Sequence, residues 1–163
     1  KNKEPKKIGC SFIIIDNKPH LTEKGTEYLA KWVQHLYLVT TNENHPAFKL
    51  KEKHSNITIL KYEEKIDLTN LLERMNGEHG AEKITIQSGG TLNSAFIRQG
   101  LIDKVSIVIA PCLIGGSDTA SLVGGESLKT KEDLEKIKPL RLVDCKKLDN
   151  SYVHLVYEVV NGE

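Results

Sequence analysis

The chain has 163 residues, of which 39% are hydrophobic and 28% are charged. A chain of this length can fold around its own core without a disulfide or a metal, so we expect a single domain over residues 1–163. Lysine and arginine total 23 and aspartate and glutamate total 22, which gives a formal net charge of +1. This balance excludes the basic surface typical of proteins that bind nucleic acid or anionic membranes. The longest apolar run, Phe12–Ile15, is too short to cross a bilayer.

The three cysteines, Cys10, Cys112 and Cys145, lie far apart in apolar runs. An odd number of separated cysteines is typical of reduced, buried thiols in a cytoplasmic protein rather than of a disulfide framework. The six histidines show no spacing that is typical of metal ligands, so no metal site is predicted.

The first part of the chain predicts three strands and a helix. Strands are expected over residues 8–16, 36–41 and 57–62, and the β-branched run within the first indicates a strand buried on both faces. Thr22 is a suitable N-cap for a helix that ends near Val33. The apolar residues of this helix share one predicted face: Tyr28, Leu29, Trp32 and Val33.

The middle of the chain predicts two further helices around a short strand. Asp67 is a suitable N-cap for a helix with apolar residues at helical spacing, namely Leu68, Leu71, Leu72 and Met75. A strand is expected over residues 83–88. Gly89 and Gly90 then turn the chain into a helix over residues 91–99, and Gly100 is expected to end that helix in a left-handed conformation.

The last part of the chain predicts a strand over residues 105–110 and a long glycine-containing loop through Gly125. Thr130 and Asp133 resemble a capping arrangement for a short helix. Two strands, residues 140–148 and 152–160, form a predicted hairpin around the turn-prone pair Asp149-Asn150. The whole pattern predicts an α/β fold with a mostly parallel sheet, flanking helices and a C-terminal antiparallel hairpin.

Polar residues follow three predicted strands, at the carboxyl ends where ligands of open α/β sheets bind. Residues 87–93 pass from a strand through two glycines into a helix, and such a helix start can bind phosphate through its backbone N–H groups. Asn17 and Lys18 follow the first strand and offer an amide and a cation to a phosphate. Residues 40–42 end the second strand. Each segment alone is also typical of an ordinary turn, but together they predict a dinucleotide site at one edge of the sheet.

The remaining residue patterns are weaker indications of a functional site. His45 precedes Pro46 and is interpreted as a loop histidine. Neither the Gly-x-Ser-x-Gly motif nor a Cys-His pair suited to nucleophilic catalysis is recognisable, so hydrolysis is disfavoured. No catalytic residue is assigned from the sequence.

Several of these segments resemble the sequence of one known family. Residues 87–96 read Gln-Ser-Gly-Gly-Thr-Leu-Asn-Ser-Ala-Phe, residues 100–105 read Gly-Leu-Ile-Asp-Lys-Val, and Ala-Pro and Leu-Ile-Gly-Gly follow within residues 109–116. This order resembles the C-terminal reductase domain of riboflavin biosynthesis proteins, which has the dihydrofolate reductase-like fold. The segment Ile-Ile-Ile-Asp-Asn-Lys at residues 13–18 resembles the family's Val-Val-Asp-Ser-Lys, so the resemblance covers nearly the whole chain.

The resemblance implies an NADPH-dependent reductase that converts the ribosylamino group of a pyrimidine ribose phosphate to a ribitylamino group. It also implies a cytoplasmic homodimer. The NADPH diphosphate would be held by residues near the helix start: Ser88, Gly89, Gly90, Thr91, Leu92, Asn93 and Ser94. Asn17 and Lys18 would bind the 2′-phosphate, and Thr40 would line the adenosine side. A cis peptide between Gly89 and Gly90 is implied as well, because dihydrofolate reductases have one at this turn.

Two departures from the family pattern leave alternatives open. Gln87 stands where the family commonly has a glutamate that contacts the substrate. As a substrate residue, Gln87 keeps a hydrogen-bonding group but lacks the negative charge. The family's opening segments, with Ser-Leu-Asp-Gly and Asp-Asp-Pro, do not precede Lys1. We therefore expect a fragment that lacks the N-terminal strand and substrate-binding segment, and that exposes a sheet edge. The alternatives are a dihydrofolate or pteridine reductase of the same fold, and a non-catalytic nucleotide-binding or dimerisation module.

Overall fold

The computed structural model describes residues 6–160, which divide between Glu78 and His79 into two compact units. The first unit contains β1 (Phe12–Ile15), α1 (Glu23–Trp32), β2 (Leu36–Thr40), α2 (Phe48–Lys51), β3 (Ile57–Lys61) and α3 (Leu68–Gly77). The second unit contains α4 (Gly90–Arg98), β4 (Lys104–Ile109), a 3-10 helix (Glu132–Lys136), β5 (Leu140–Lys147) and β6 (Val153–Val159). Within residues 6–160, no helix is both long enough and apolar enough to span a membrane.

A parallel sheet in the order β1-β2-β3 forms the centre of the first unit. The middle strand, β2, is buried along its whole length, which is expected of a parallel strand covered by helices. Its core joins Ala30 and Val33 at the end of α1 to Leu36, Leu50 and Ile57. β1 lies at the edge of the sheet and is only half-buried, with Phe12 37% exposed. The prediction that β1 is buried on both faces is therefore wrong.

The predicted helix caps are confirmed in the first unit. The Thr22 hydroxyl accepts a hydrogen bond from Gly25 N at 3.1 Å, and Asp67 Oδ1 accepts one from Asn70 N at 3.0 Å. α3 buries Leu68, Leu71 and Met75 as its spacing predicts.

Two helical details of the first unit differ from the prediction. Tyr28 is 61% exposed, because α1 buries the neighbouring face through Thr26 and Ala30. The four-residue helix α2 was not predicted, since it follows directly on a proline-containing turn and is too short for an apolar period.

The second unit contains an antiparallel sheet in the order β4-β6-β5. The predicted hairpin is confirmed, and Asn150 takes a left-handed conformation with φ 55° in its turn. Because β6 lies between β4 and β5, the strand predicted over residues 105–110 joins this antiparallel sheet instead of the parallel one. Gly100 ends α4 with φ +70°, while Leu101 N donates to Phe96 O at 3.0 Å. This pattern is the predicted glycine C-cap.

Two further predictions are wrong. One concerns a strand of the second unit, and the other concerns the cysteines of both units. Residues 83–88 keep the alternation of half-buried and exposed side chains but form no strand, because no described strand pairs with their backbone. The cysteines are free as predicted, but all three are exposed rather than buried. Cys10 precedes β1, Cys112 follows β4 in an exposed loop, and Cys145 lies on the edge strand β5, so none reaches a covered face.

Candidate functional site

The carboxyl ends of β1 and β2 meet at one edge of the first sheet. Thr40 is fully buried, and its hydroxyl donates to the backbone oxygen of Asp16 at 2.8 Å and accepts from Asn42 N at 3.1 Å. Asn17 Oδ1 accepts a hydrogen bond from Thr41 N at 3.0 Å. The structure thus brings together two of the three predicted strand ends. Thr40 stabilises this edge, since its hydroxyl is engaged in hydrogen bonds within the protein.

The Asp16 carboxylate organises the segment that follows β1. Its Oδ1 accepts from His20 N at 3.1 Å and lies 3.0 Å from His20 Nδ1. Its Oδ2 accepts from Leu21 N at 2.9 Å and lies 3.1 Å from His45 Nε2. Burial opposes ionisation, but the hydrogen bonds from the Leu21 and His20 backbones and from the two imidazoles outweigh it and lower the Asp16 pKa to about 2. The carboxylate therefore carries its charge at neutral pH.

The segment of residues 17–21, here called the sheet-edge loop, presents a cation to solvent. Lys18 is exposed at the tip of this loop. Within residues 6–160, no acidic side chain forms an ion pair with it. An exposed ammonium next to the Asn17 amide is suited to binding a phosphate group.

His45 is a residue of this edge whose connection to Asp16 the sequence did not reveal. The side chain is 1% exposed, and its Nδ1 accepts a hydrogen bond from Ala47 N at 3.1 Å. Since Nδ1 is an acceptor, Nε2 carries the hydrogen and donates it to Asp16 Oδ2. His45 follows Asp16 by 29 residues, and a loop position before Pro46 gives no pattern that would predict the pair.

The start of α4 is the candidate site of the second unit. Gly89 occupies the N-cap position, and no side chain caps the helix, in contrast to α1 and α3. The first backbone N–H groups of α4 are therefore available to an anion. A side chain at Gly89 would meet nothing within 4 Å, so the turn faces open space. The Gly89–Gly90 peptide is trans, because no described peptide bond is cis, and the expectation of a cis bond is wrong.

Residues 115–125, here called the glycine loop, pack against the same turn. Gly124 N donates to Gly90 O at 2.9 Å, and Asn93 Nδ2 donates to Leu122 O at 3.0 Å. The loop and the helix start border an open cavity of about 280 Å³. Its lining is rich in hydroxyl groups and contains one carboxylate: Gly90, Thr91, Ser117, Asp118, Thr119, Ala120, Ser121 and Gly124. Backbone N–H groups and hydroxyls fit the phosphate groups of a nucleotide, whereas Asp118 opposes them.

The other predicted residues of this turn fall into two groups. Gln87 and Thr91 are exposed, and Leu92 is half-buried, so these three reach the surface of the turn. Ser88 and Asn93 bind each other, with Ser88 Oγ donating to Asn93 Oδ1 at 2.6 Å. Ser94 is 2% exposed and lies under Gly125. The second group holds the turn and the glycine loop in shape.

A second cavity, of about 440 Å³, lies at the other end of α4. Its two basic lining residues already have partners: Arg98 donates to Glu126 O, and Lys136 Nζ lies 2.6 Å from Asp133 Oδ1. This cavity therefore offers less to an anion than the start of the helix.

Comparison with known proteins places the chain in a family. Residues 11–154 match the RibD C-terminal domain family, and the chain belongs to that family. It is 38% identical over 74 residues to the 2,5-diamino-6-ribosylamino-4(3H)-pyrimidinone 5′-phosphate reductase of Methanothermobacter thermautotrophicus, covering 45% of this chain and 34% of the relative. It is 33% identical over 102 residues to the enzyme of the same name from Archaeoglobus fulgidus, covering 62% and 46%. These matches span less than half the length of either relative.

Solved structures show the same fold. Acinetobacter baumannii RibD superposes with a TM-score of 0.70 at 20% identity, covering 91% of this chain and 37% of the other. A pyrimidine reductase-like protein from Corynebacterium diphtheriae gives a TM-score of 0.65 at 14% identity, covering 92% and 61%. At these identities the likeness concerns the fold alone, and it confirms the α/β, dihydrofolate reductase-like architecture that the resemblance implied.

Proposed function

We propose that the chain is part of an NADPH-dependent reductase of the riboflavin pathway. Its substrate would be a pyrimidine ribose phosphate whose ribosylamino group is reduced to ribitylamino. The observation that carries this proposal is the uncapped start of α4 at Gly89, beside the glycine loop, in a chain of the RibD C-terminal domain family. The names of the archaeal relatives support the same substrate.

The proposed residue roles are given for each unit by itself. The backbone of Gly89 through Leu92 would bind the diphosphate, because these N–H groups start a helix that no side chain caps. Lys18 and Asn17 would bind the 2′-phosphate, for which an ammonium and an amide are suited. When bound, the nicotinamide supplies the hydride that, with one proton, reduces C1′ of the opened ribosylamino group. The protein's own part is to orient the reactants and exclude water.

Gln87 stays the proposed substrate contact. Its exposed side chain directly precedes the turn of α4 and can donate and accept hydrogen bonds without carrying charge. A neutral amide suits the carbonyl and N–H edges of a pyrimidine ring.

The direct test of the function is to titrate the purified protein with NADPH and NADH and to assay reduction of the ribosylamino pyrimidine phosphate. We expect NADPH to bind more tightly than NADH and to be consumed with that substrate. Turnover with dihydrofolate or a pterin instead would favour the related reductase. NADPH binding without turnover on any of these compounds would favour a non-catalytic nucleotide-binding module, and failure to bind either cofactor would contradict the proposal.

Lys18→Ala should weaken NADPH binding by about tenfold and leave NADH binding nearly unchanged, because only NADPH has a 2′-phosphate to pair with the ammonium. Isothermal titration with both cofactors measures the two constants. Lys24→Ala, at an exposed lysine of α1, is the matched control and should alter neither. Equal losses for both cofactors in Lys18→Ala would contradict this role.

We also propose that the protein is a cytoplasmic homodimer. β4 and β5 expose apolar side chains on one face of their sheet, with Ile109 49%, Leu140 44% and Leu142 52% exposed, and such a group is typical of a surface that a second copy covers. The free cysteines suit a reducing compartment. Sedimentation should give twice the mass of the chain, and Leu142→Asp should shift the equilibrium to monomer, whereas a wild-type monomer at high concentration would disprove dimerisation.

A further inference from the structure

We propose that His45 is a positioning residue: it fixes the Asp16 carboxylate, and through Asp16 it fixes the sheet-edge loop that presents Asn17 and Lys18. The part of this inference that concerns NADPH rests on the proposed function. The ordering of the loop itself is independent of that function and can be measured without a cofactor.

The environment of His45 allows one orientation of its ring. The imidazole is buried, and both ring nitrogens are occupied, Nδ1 by Ala47 N at 3.1 Å and Nε2 by Asp16 Oδ2 at 3.1 Å. A rotated ring would leave the Ala47 N–H and the carboxylate without these partners in a buried place, which is costly. His45 therefore acts as a fixed donor toward Asp16.

The fixed donor determines how the carboxylate faces the loop. With Oδ2 held by His45, the same oxygen accepts from Leu21 N at 2.9 Å, and Oδ1 is directed at His20 N, 3.1 Å away. His20 also brings its ring to Oδ1, but that side chain is 84% exposed and can exchange this contact for water. Of the two imidazoles, His45 is therefore the one that holds the Asp16 carboxylate in its rotamer.

The loop is anchored on both sides of Lys18. On one side Asn17 Oδ1 accepts from Thr41 N, and on the other His20 N and Leu21 N donate to Asp16. An ordered backbone lowers the entropy that Lys18 loses when it binds an anion. Loss of the His45 donor should therefore weaken recognition of the 2′-phosphate even though His45 itself is buried and contacts no ligand.

Two substitutions at His45 separate its two hydrogen bonds. In His45→Asn the side-chain oxygen can still accept from Ala47 N, but the shorter side chain provides no donor to Asp16. In His45→Gln the side-chain nitrogen can take the place of Nε2 and donate to Asp16. His54→Asn is the matched control, because His54 belongs to the same unit and, among the residues that the structure describes, its ring has a single long polar contact, to Glu27 at 3.8 Å.

Two measurements apply to each variant: hydrogen exchange of the His20 and Leu21 amides, and the dissociation constants of NADPH and NADH. We expect His45→Asn to speed exchange of both amides about tenfold and to reduce the preference for NADPH over NADH about tenfold. His45→Gln should restore most of both effects, and His54→Asn should change neither.

Unchanged amide exchange in His45→Asn would overturn the inference, and so would equal effects of His45→Asn and His45→Gln. Faster exchange with an unchanged cofactor preference would overturn the link to the 2′-phosphate. If the wild-type protein binds neither cofactor, the proposed function fails, while amide exchange still decides whether His45 orders the loop.

Discussion

Gly90→Ala is expected to lower the free energy of unfolding by about 1–3 kcal/mol, because the added Cβ overpacks the start of α4. That atom would lie 2.7 Å from Ser121 O and 2.9 Å from Gly124 N. Both neighbours are backbone atoms, so the glycine loop must move as a whole. We expect cofactor affinity to fall by at least about tenfold in the same variant, since the loop and the helix start line one cavity. Denaturant unfolding and cofactor titration measure the two effects.

Gly89→Ala is the matched control for this prediction. A Cβ at Gly89 meets nothing within 4 Å, and its φ of −72° suits any residue, so the loss of stability should be limited to the poorer N-capping of alanine, about 0.5 kcal/mol. If the diphosphate lies against Gly89, this variant should still bind the cofactor more weakly. A Gly90→Ala variant as stable as the wild type would show that the glycine loop does not pack against the helix start as described.

The second large effect is expected in acid. The folded-state pKa of Asp16 is about 2, below the ordinary value of 3.8, so the unfolded chain takes up this proton first as the pH falls. The stability that Asp16 contributes is therefore complete above its ordinary pKa and is lost as the pH falls from about 4 to about 2. The loss amounts to about 2 kcal/mol. Urea unfolding at a series of pH values measures it.

Asp16→Asn isolates this contribution from those of other carboxylates. At pH 7 the variant should be less stable than the wild type by about 2 kcal/mol, because an amide cannot accept all the hydrogen bonds that the carboxylate accepts. The difference should shrink as the pH approaches 2, where about half of the wild-type carboxyl groups are also protonated. A difference that stays constant between pH 6 and pH 2 would contradict the lowered pKa.

The features that the sequence predicted correctly depend on neighbours in the chain. Thr22 and Asp67 bind N–H groups three residues ahead, and Gly100 ends α4 through bonds within the preceding turn. These interactions use local backbone geometry, which a short sequence pattern describes completely. The fold class followed from the alternation of such elements and from the resemblance of residues 87–116 to a known family.

The features that the sequence did not predict depend on distant partners. Residues 83–88 have the alternation of a strand, but a strand also needs a hydrogen-bonded neighbour, and alternation says nothing about that neighbour. The thiol of Cys145 lies in an apolar run, yet an edge strand leaves it exposed. The Asp16–His45 pair joins two loops across 29 residues. No propensity of either residue indicates that contact.

The candidate site was therefore only partly predictable. Sequence order identified Asn17, Lys18 and the turn at Gly89 and Gly90 as anion-binding candidates. Three-dimensional packing was needed to distinguish the residues that face solvent from those that hold them in place, such as Thr40 and Ser94, which are both buried.

The order of the strands in the two sheets has a consequence for how the protein acquires its structure. In the first sheet, spatial order equals chain order, and pairs such as Ile13 with Tyr37 close short loops. In the second sheet, β4 pairs with β6, and Lys104 lies opposite Glu158. This pairing cannot form until the whole intervening chain has been synthesised. Loop closure costs more entropy as the loop lengthens. During synthesis on the ribosome, the parallel sheet can therefore assemble while the antiparallel sheet still lacks its central strand.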